Sequence, residues 1–163
     1  MPLNRKIGYI DLTSGHIETK AIPLDVRKKF VGGRGLDAYL LYNHTKKGCD
    51  PLGPDNVFII SGGLLCATLA SATSRCHVMG KSPLTGLIGS ANMGGFFTPE
   101  MAWAGFHHLV VKGKAKHPVY IYVHNGEIEI RDAREIWGKS VTETQWAIRE
   151  DLADQEVKSA VCG

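Results

Sequence analysis

Apolar and polar residues alternate with a period of two at both ends of this chain and follow a helical spacing between. "RKIGYIDLTSGHIETKAI" places apolar residues at alternate positions on either side of "TSGH", which predicts a two-stranded hairpin with Ser14-Gly15 free to take positive φ. From Leu24 to Lys47 the apolar residues return at helical spacing, interrupted by Gly32 and Gly33, so two helices meeting at a glycine break are predicted. "CDPLGPD" is a proline and glycine turn, and "NVFIISGG" is a short apolar run of strand type. Thr98, Pro99 and Glu100 predict a helix start with Thr98 as N-cap and Pro99 in the first helical position, with Gly105 as its stop. "HHLVVKGKA" reads as a strand. "PVYIYVHNGEIEIRD" reads as a second hairpin, because Asn125-Gly126 suits a type I′ turn. Ser140 and Glu143 form a capping box ahead of "VTETQWAIREDLA", where Val141, Thr144 or Gln145, Ile148 and Leu152 share one face. "EVKSAVCG" reads as a last strand. Hairpins imply antiparallel pairing, so the order predicts an α+β fold rather than a doubly wound parallel sheet.

Composition narrows the classes. The chain of 163 residues is 44% hydrophobic, 21% charged and contains 19 glycines, which suits a single folded unit with many tight turns. A net charge of +3 with dispersed Lys and Arg gives nucleic-acid binding little electrostatic support. No apolar run approaches the roughly 18 residues of a membrane span, and "MPLNRKIGYIDLTSG" lacks a signal-peptide core, so a cytoplasmic location is expected. Cys49, Cys66, Cys76 and Cys162 are too widely spaced for a zinc or iron-sulfur cage, and free thiols are the simpler reading.

Residues 71 to 97, "SATSRCHVMGKSPLTGLIGSANMGGFF", are dominated by Gly, Ala and Ser. Small residues let main chain approach a ligand closely, and successive N–H groups form concave anion sites. Arg75 adds a planar donor fork and Lys81 a point charge, while a pair of tight turns with surface cations is the simpler alternative. Neither this segment nor "GGRG" at 32 to 35 matches the spacing of a nucleotide-binding loop. His77, His107, His108 and His124 lack a carboxylate at useful sequence spacing and read as packing or surface residues. Trp103, Trp137 and Trp146 read as core or interface anchors. "EIEIRDAREI" reads as a solvated face.

Seven collinear stretches, "YIDLTSGHI", "FVGGRGLDAYLLY", "DPLGPDN", "KSPLTG", "SANMGGFF", "KGKAKHPVYIYV" and "EIRDAREIWGKSVTET", resemble the N-terminal domain of the aldehyde ferredoxin oxidoreductase family of tungsten enzymes. The resemblance spans nearly all of residues 1–163. It implies an α+β domain with two mainly antiparallel β-sheets and flanking helices, related by an approximate internal two-fold, the second half incomplete. It also implies a base for a tungsten or molybdenum bis-pterin cofactor whose phosphates share a magnesium ion. Carried over by position, Arg75 would hydrogen-bond the pterin, lie toward an iron-sulfur cluster and favour its reduced form. Asn92 would hold magnesium through its main chain, Gly94 would contact the pterin, and Gly95 would serve the same turn. Lys81 and Ser82 would either touch phosphate or fix the loop.

Two stretches depart from the family pattern. "GGLLCAT" at 62 to 68 stands where relatives carry Gly-Pro-Leu-Thr-Gly, and "SATSR" lacks the usual proline, which loosens the loop by about 0.5 to 1 kcal/mol. The domain is expected to stop short of the second pterin loop, so the [4Fe-4S] cysteines and acid-base residues would come from a cysteine-rich catalytic remainder or partner, with ferredoxin as electron acceptor. Otherwise the domain would bind pterin or another anion alone, or serve as an oligomeric scaffold with a homodimer partner. This chain by itself is not expected to oxidise aldehydes.

Overall fold

A computed structural model describes residues 5 to 162. Twelve elements follow one another: β1 (Lys6–Asp11), β2 (His16–Ala21), α1 (Leu24–Phe30), α2 (Arg34–His44), β3 (Val57–Gly62), β4 (Cys76–Lys81), β5 (Ile88–Met93), α3 (Phe97–Trp103), β6 (Phe106–Lys112), β7 (Val119–His124), β8 (Glu127–Asp132) and α4 (Val141–Asp151). The larger sheet has the order β2-β1-β6-β3-β4-β5, and β7 and β8 form a separate two-stranded sheet. All pairings are antiparallel except β1 with β6, so the α+β expectation with two mainly antiparallel sheets holds.

The alternation predicted from the sequence sorts residues to the two faces of the large sheet. Ile7, Ile59, Met79 and Val110 pack with Leu36, Leu40 and Leu41 of α2 on one face. Ile10, Ile60, Cys76, Phe106 and Leu109 pack on the other, with Met101 of α3 and Ile121, Val123, Ile128 and Ile130 of the small hairpin. Gly8 lets that hairpin come close, since a Cβ at this position would overlap the Ile128 side chain. The register between β1 and β6 slips by one residue at Lys6/Ile7 and skips His107, a bulge that breaks the two-residue alternation. His107 and His108 are both buried beside it.

Local turn chemistry acts as read. Asn125 and Gly126 have φ of 43° and 86°, and the Gly126 N–H donates to Ala104 O at 2.7 Å, which ties the second hairpin to the end of α3. Both halves of the Ser140–Glu143 capping box are formed.

Three expectations change. The helix after Gly95 starts two residues earlier, with Phe96 as N-cap and no side-chain cap; Thr98 lies inside it and donates from Oγ1 to Ser74 O at 3.1 Å. A buried hydroxyl with a main-chain acceptor nearby is drawn into that bond instead of capping. Residues 156 to 162 form no strand and find no ladder partner among the described residues. The three tryptophans are exposed, so none belongs to the core, and Trp137 lies in a turn. In β8, Ile128 and Ile130 pack on the core while its charged residues face outward.

Candidate functional site

The glycine-rich segment, which the sequence left without regular structure, forms β4, a tight turn and β5. β5 is the open edge of the large sheet. Its ladder with β4 pairs Met79 with Ser90, His77 with Asn92 and Cys76 with Met93. The phase of this ladder follows from two contacts: Ser82 N–H donates to Leu87 O at 2.8 Å, and the Lys81 main chain is bonded to the Asn56 side chain on the side away from β5. Alternation then makes Lys81–Ile88, Met79–Ser90 and His77–Asn92 the non-hydrogen-bonded pairs. The main-chain N–H and C=O groups of Ile88, Ser90 and Asn92 therefore point out of the sheet's open edge.

The sequence-predicted site residues gather at the end of this edge, with two set apart. Arg75 and Gly94 flank the Cys76–Met93 pair. Arg75 is exposed and makes no hydrogen bond or ion pair among the described residues. A Cβ at Gly94 or Gly95 would meet nothing within 4 Å, and Gly95 has φ of +106°, a conformation that favours glycine. Bare backbone, an outward-facing Asn92 carbonyl and a free guanidinium thus share one small surface, which fits a flat, anion-bearing ligand with a hard cation. Lys81 and Ser82 are engaged otherwise. Lys81 Nζ donates to Cys49 O at 2.5 Å, which ties the end of β4 to the loop before β3, and Ser82 Oγ accepts from the Leu84 and Thr85 amides at 3.3 Å each within the turn.

Behind this edge lies a buried polar chain that no sequence spacing signalled. Asp37 of α2 is fully buried, and its Oδ2 accepts from Ser61 Oγ at 2.6 Å and pairs with His77 Nδ1 at 2.5 Å. His77 Nε2 is 2.9 Å from Ser90 Oγ on β5. Burial raises the Asp37 carboxyl above its ordinary pKa, opposed by the bonds from Ser61 and His77. His108 Nε2 lies 3.5 Å from Asp37 Oδ1, too long for a hydrogen bond, and burial pushes the His108 imidazole down to about 3, so it stays neutral. His107, also without a partner, is pushed down to about 4, first by burial and then by Arg5 and Arg27.

Other polar clusters are committed elsewhere. His124, Glu127 and Glu129 bring metal-type ligand atoms within 4.8 Å of one another. His124 Nε2 and Arg131 Nε already occupy the two Glu129 oxygens, at 2.7 and 2.8 Å. A cavity of about 740 Å³ between the large sheet and the small hairpin is lined largely by apolar residues such as Phe58, Ile60, Val111, Ile121 and Trp137. Cys49, Cys66 and Cys76 are buried free thiols, and burial pushes Cys76 up to about 12; Cys162 is exposed.

An α+β domain whose open sheet edge presents main chain, glycine and one free arginine defines the fold and the surface, and its family is set by comparison with known proteins. The N-terminal domain of aldehyde ferredoxin oxidoreductase matches residues 7–163, and the chain belongs to this family. It is 45% identical over 154 residues to the tungsten-containing aldehyde ferredoxin oxidoreductase of Pyrococcus furiosus, covering 94% of this chain and 26% of that protein. Identity to the enzyme of the same name from Pyrococcus abyssi is 41%, over 97% of this chain and 26% of the relative. An aliphatic sulfonate oxidoreductase, WOR-like subunit, of Pyrococcus furiosus is 36% identical over 83% of this chain and 22% of its own length. Among solved structures, the active site complex BamBC of benzoyl coenzyme A reductase, in complex with 1,5 dienoyl-CoA, superimposes with a TM-score of 0.92 at 34% identity, over 95% of this chain and 24% of that one. The chain thus spans about a quarter of the length of these relatives. No described helix is long and apolar enough to cross a membrane.

Proposed function

We propose that the β5 edge and the turn that follows it seat part of a tungsten or molybdenum bis-pterin cofactor in an aldehyde:ferredoxin oxidoreductase. The observation that carries this reading is the conjunction of outward-facing Asn92 main chain with open space at Gly94 and Gly95. Arg75, unpaired and across from Gly94, supplies the donor fork for a pterin or phosphate oxygen. The Asn92 main-chain carbonyl would offer a hard oxygen ligand to a magnesium ion accompanying the cofactor; Asn92 lies in extended strand without positive φ, so this role would not depend on its side chain. Ser82 takes the role of holding the turn that leads into β5, and Lys81 that of anchoring the end of β4 to the Cys49 loop.

The bound group supplies two-electron oxygen-atom chemistry, by which an aldehyde and water give a carboxylic acid, two protons and two electrons. The chain described here contributes binding and orientation. The [4Fe-4S] cysteines, the acid-base residues and the docking surface for ferredoxin belong to the part of the enzyme beyond these residues, and the assembled protein works in the cytoplasm.

The test is cofactor content of the full-length protein grown with tungstate, measured by elemental analysis and pterin fluorescence. Gly94→Val should lose most bound tungsten and pterin, Arg75→Ala should lower both, and Asn92→Ala should retain them. Wild-type content in both Gly94→Val and Arg75→Ala would overturn the reading.

A further inference from the structure

The chain Asp37–His77–Ser90 has the connectivity of a nucleophilic triad. The carboxylate meets Nδ1 of the imidazole at 2.5 Å, and the opposite nitrogen, Nε2, meets a serine hydroxyl at 2.9 Å. With Asp37 accepting at Nδ1–H, the imidazole is held in the tautomer whose Nε2 carries a lone pair toward Ser90. Ser61 donates a second bond to the same carboxylate oxygen, at 2.6 Å, and fixes its orientation. Acid and base are buried, at 0% and 4% exposure, whereas Ser90 is exposed. Four secondary-structure elements contribute one member each, α2, β3, β4 and the edge strand β5.

The surroundings of Ser90 also suit attack on a carbonyl. It occupies a non-hydrogen-bonded position on the open edge, so its own main-chain N–H is unpaired by the ladder and points out of the sheet's edge. A main-chain N–H of the nucleophile is one of the donors that stabilise an oxyanion. Gly89 precedes it, so no bulky side chain screens the approach on that side.

The geometry points to Ser90 as a nucleophile for acyl transfer, with His77 as general base and Asp37 and Ser61 as positioning residues, acting on small carboxylic esters. Ser90 Oγ bonds to the acyl carbon while its proton passes to His77 Nε2. The ester C–O bond then breaks and the departing alcohol takes that proton. Water repeats the sequence on the acyl-serine, giving a carboxylic acid and restoring the hydroxyl. No oxidant, reductant or metal enters the balance.

This inference uses the same strand as the cofactor reading, so the two are separated by testing full-length protein grown without tungstate or molybdate, where the proposed cofactor is absent. A fluorophosphonate probe reports serine nucleophilicity independently of any bound metal, and the metal and pterin content of the normally grown protein tests the other reading. Intact mass should rise by one adduct, peptide mapping should place it on Ser90, and Ser90→Ala, an exposed substitution, should abolish it. His77→Gln should slow labelling by about 10²-fold or more, the usual contribution of a general base, and p-nitrophenyl acetate should give an acyl-enzyme burst in the wild type alone. If His77→Gln does not fold by circular dichroism, the wild-type rate decides, compared with N-acetylserine amide under the same conditions. Absence of an adduct on Ser90, labelling no faster than that reference, or labelling of a folded His77→Gln at the wild-type rate would each overturn the proposal.

Discussion

Acidification should unfold this protein through two histidines rather than through its surface carboxylates. His107 and His108 are 2% and 1% exposed, their ring nitrogens find no hydrogen-bond partner, and burial holds them neutral with pKa values of about 4 and about 3. In the unfolded chain each titrates near 6.5. Between those limits the unfolded state binds more protons, so the stability that both rings contribute at neutral pH is lost as pH falls below 6.5. The slope is about 1.4 kcal/mol per pH unit for each histidine, so at pH 5 the loss is about 2 kcal/mol each and on the order of 4 kcal/mol together. Against a total of roughly 5 to 15 kcal/mol for a domain, that is a large fraction. Asp37 works the other way: its raised pKa makes the folded state hold a proton just above pH 3.8, which offsets part of the loss. The assay is urea unfolding by far-ultraviolet circular dichroism at half-unit steps from pH 7.5 to 4.5. His108→Leu should roughly halve the slope while removing an unpartnered polar ring. An unchanged slope in both His108→Leu and His107→Leu would refute the assignment.

Three further outcomes are expected. Phe106→Ala, at a fully buried position between the sheet and the small hairpin, should cost about 3 to 5 kcal/mol, read as a lowered urea midpoint with unchanged slope. Ser140→Ala should cost about 1 kcal/mol by removing the capping box of α4, visible as faster amide exchange in its first turn. Ala67 and Ala72 have φ of 63° and 58°, a conformation costly for any residue with a Cβ, so Ala72→Gly should leave thermal stability unchanged or raise it by up to about 1 kcal/mol, and a loss above 1 kcal/mol would contradict the strain.

What could be read from the sequence depended on how local the cause was. The hairpin at Asn125-Gly126 and the box at Ser140–Glu143 are set by residues within four positions of one another, and both formed as read. β4 and β5 were hidden because "CHVMGK" mixes glycine and histidine into its alternation and "IGSANM" has almost no large side chain to alternate. Neighbouring strands impose their conformation, which no propensity scale contains. Thr98 misled for a related reason: its hydroxyl was taken by Ser74, a residue 24 positions away. The site residues Arg75, Asn92, Gly94 and Gly95 were named through motif resemblance, and their convergence at one sheet edge follows from the hairpin that pairs β4 with β5. The Asp37–Ser61–His77–Ser90 chain was invisible because its members are separated by up to 53 positions (37 to 90) and are brought together only by packing of α2 on β3 and β4 and by the pairing of β5 with β4.

The unzipped border of the large sheet has a practical corollary for anyone producing this polypeptide by itself. A row of amides and carbonyls with almost no side-chain bulk is a template on which a second molecule can add its own outermost strand, and nothing charged stands in the way from Ile88 to Phe97. Light scattering that grows with concentration, and that Ala91→Lys suppresses, would be the laboratory trace of that zipping.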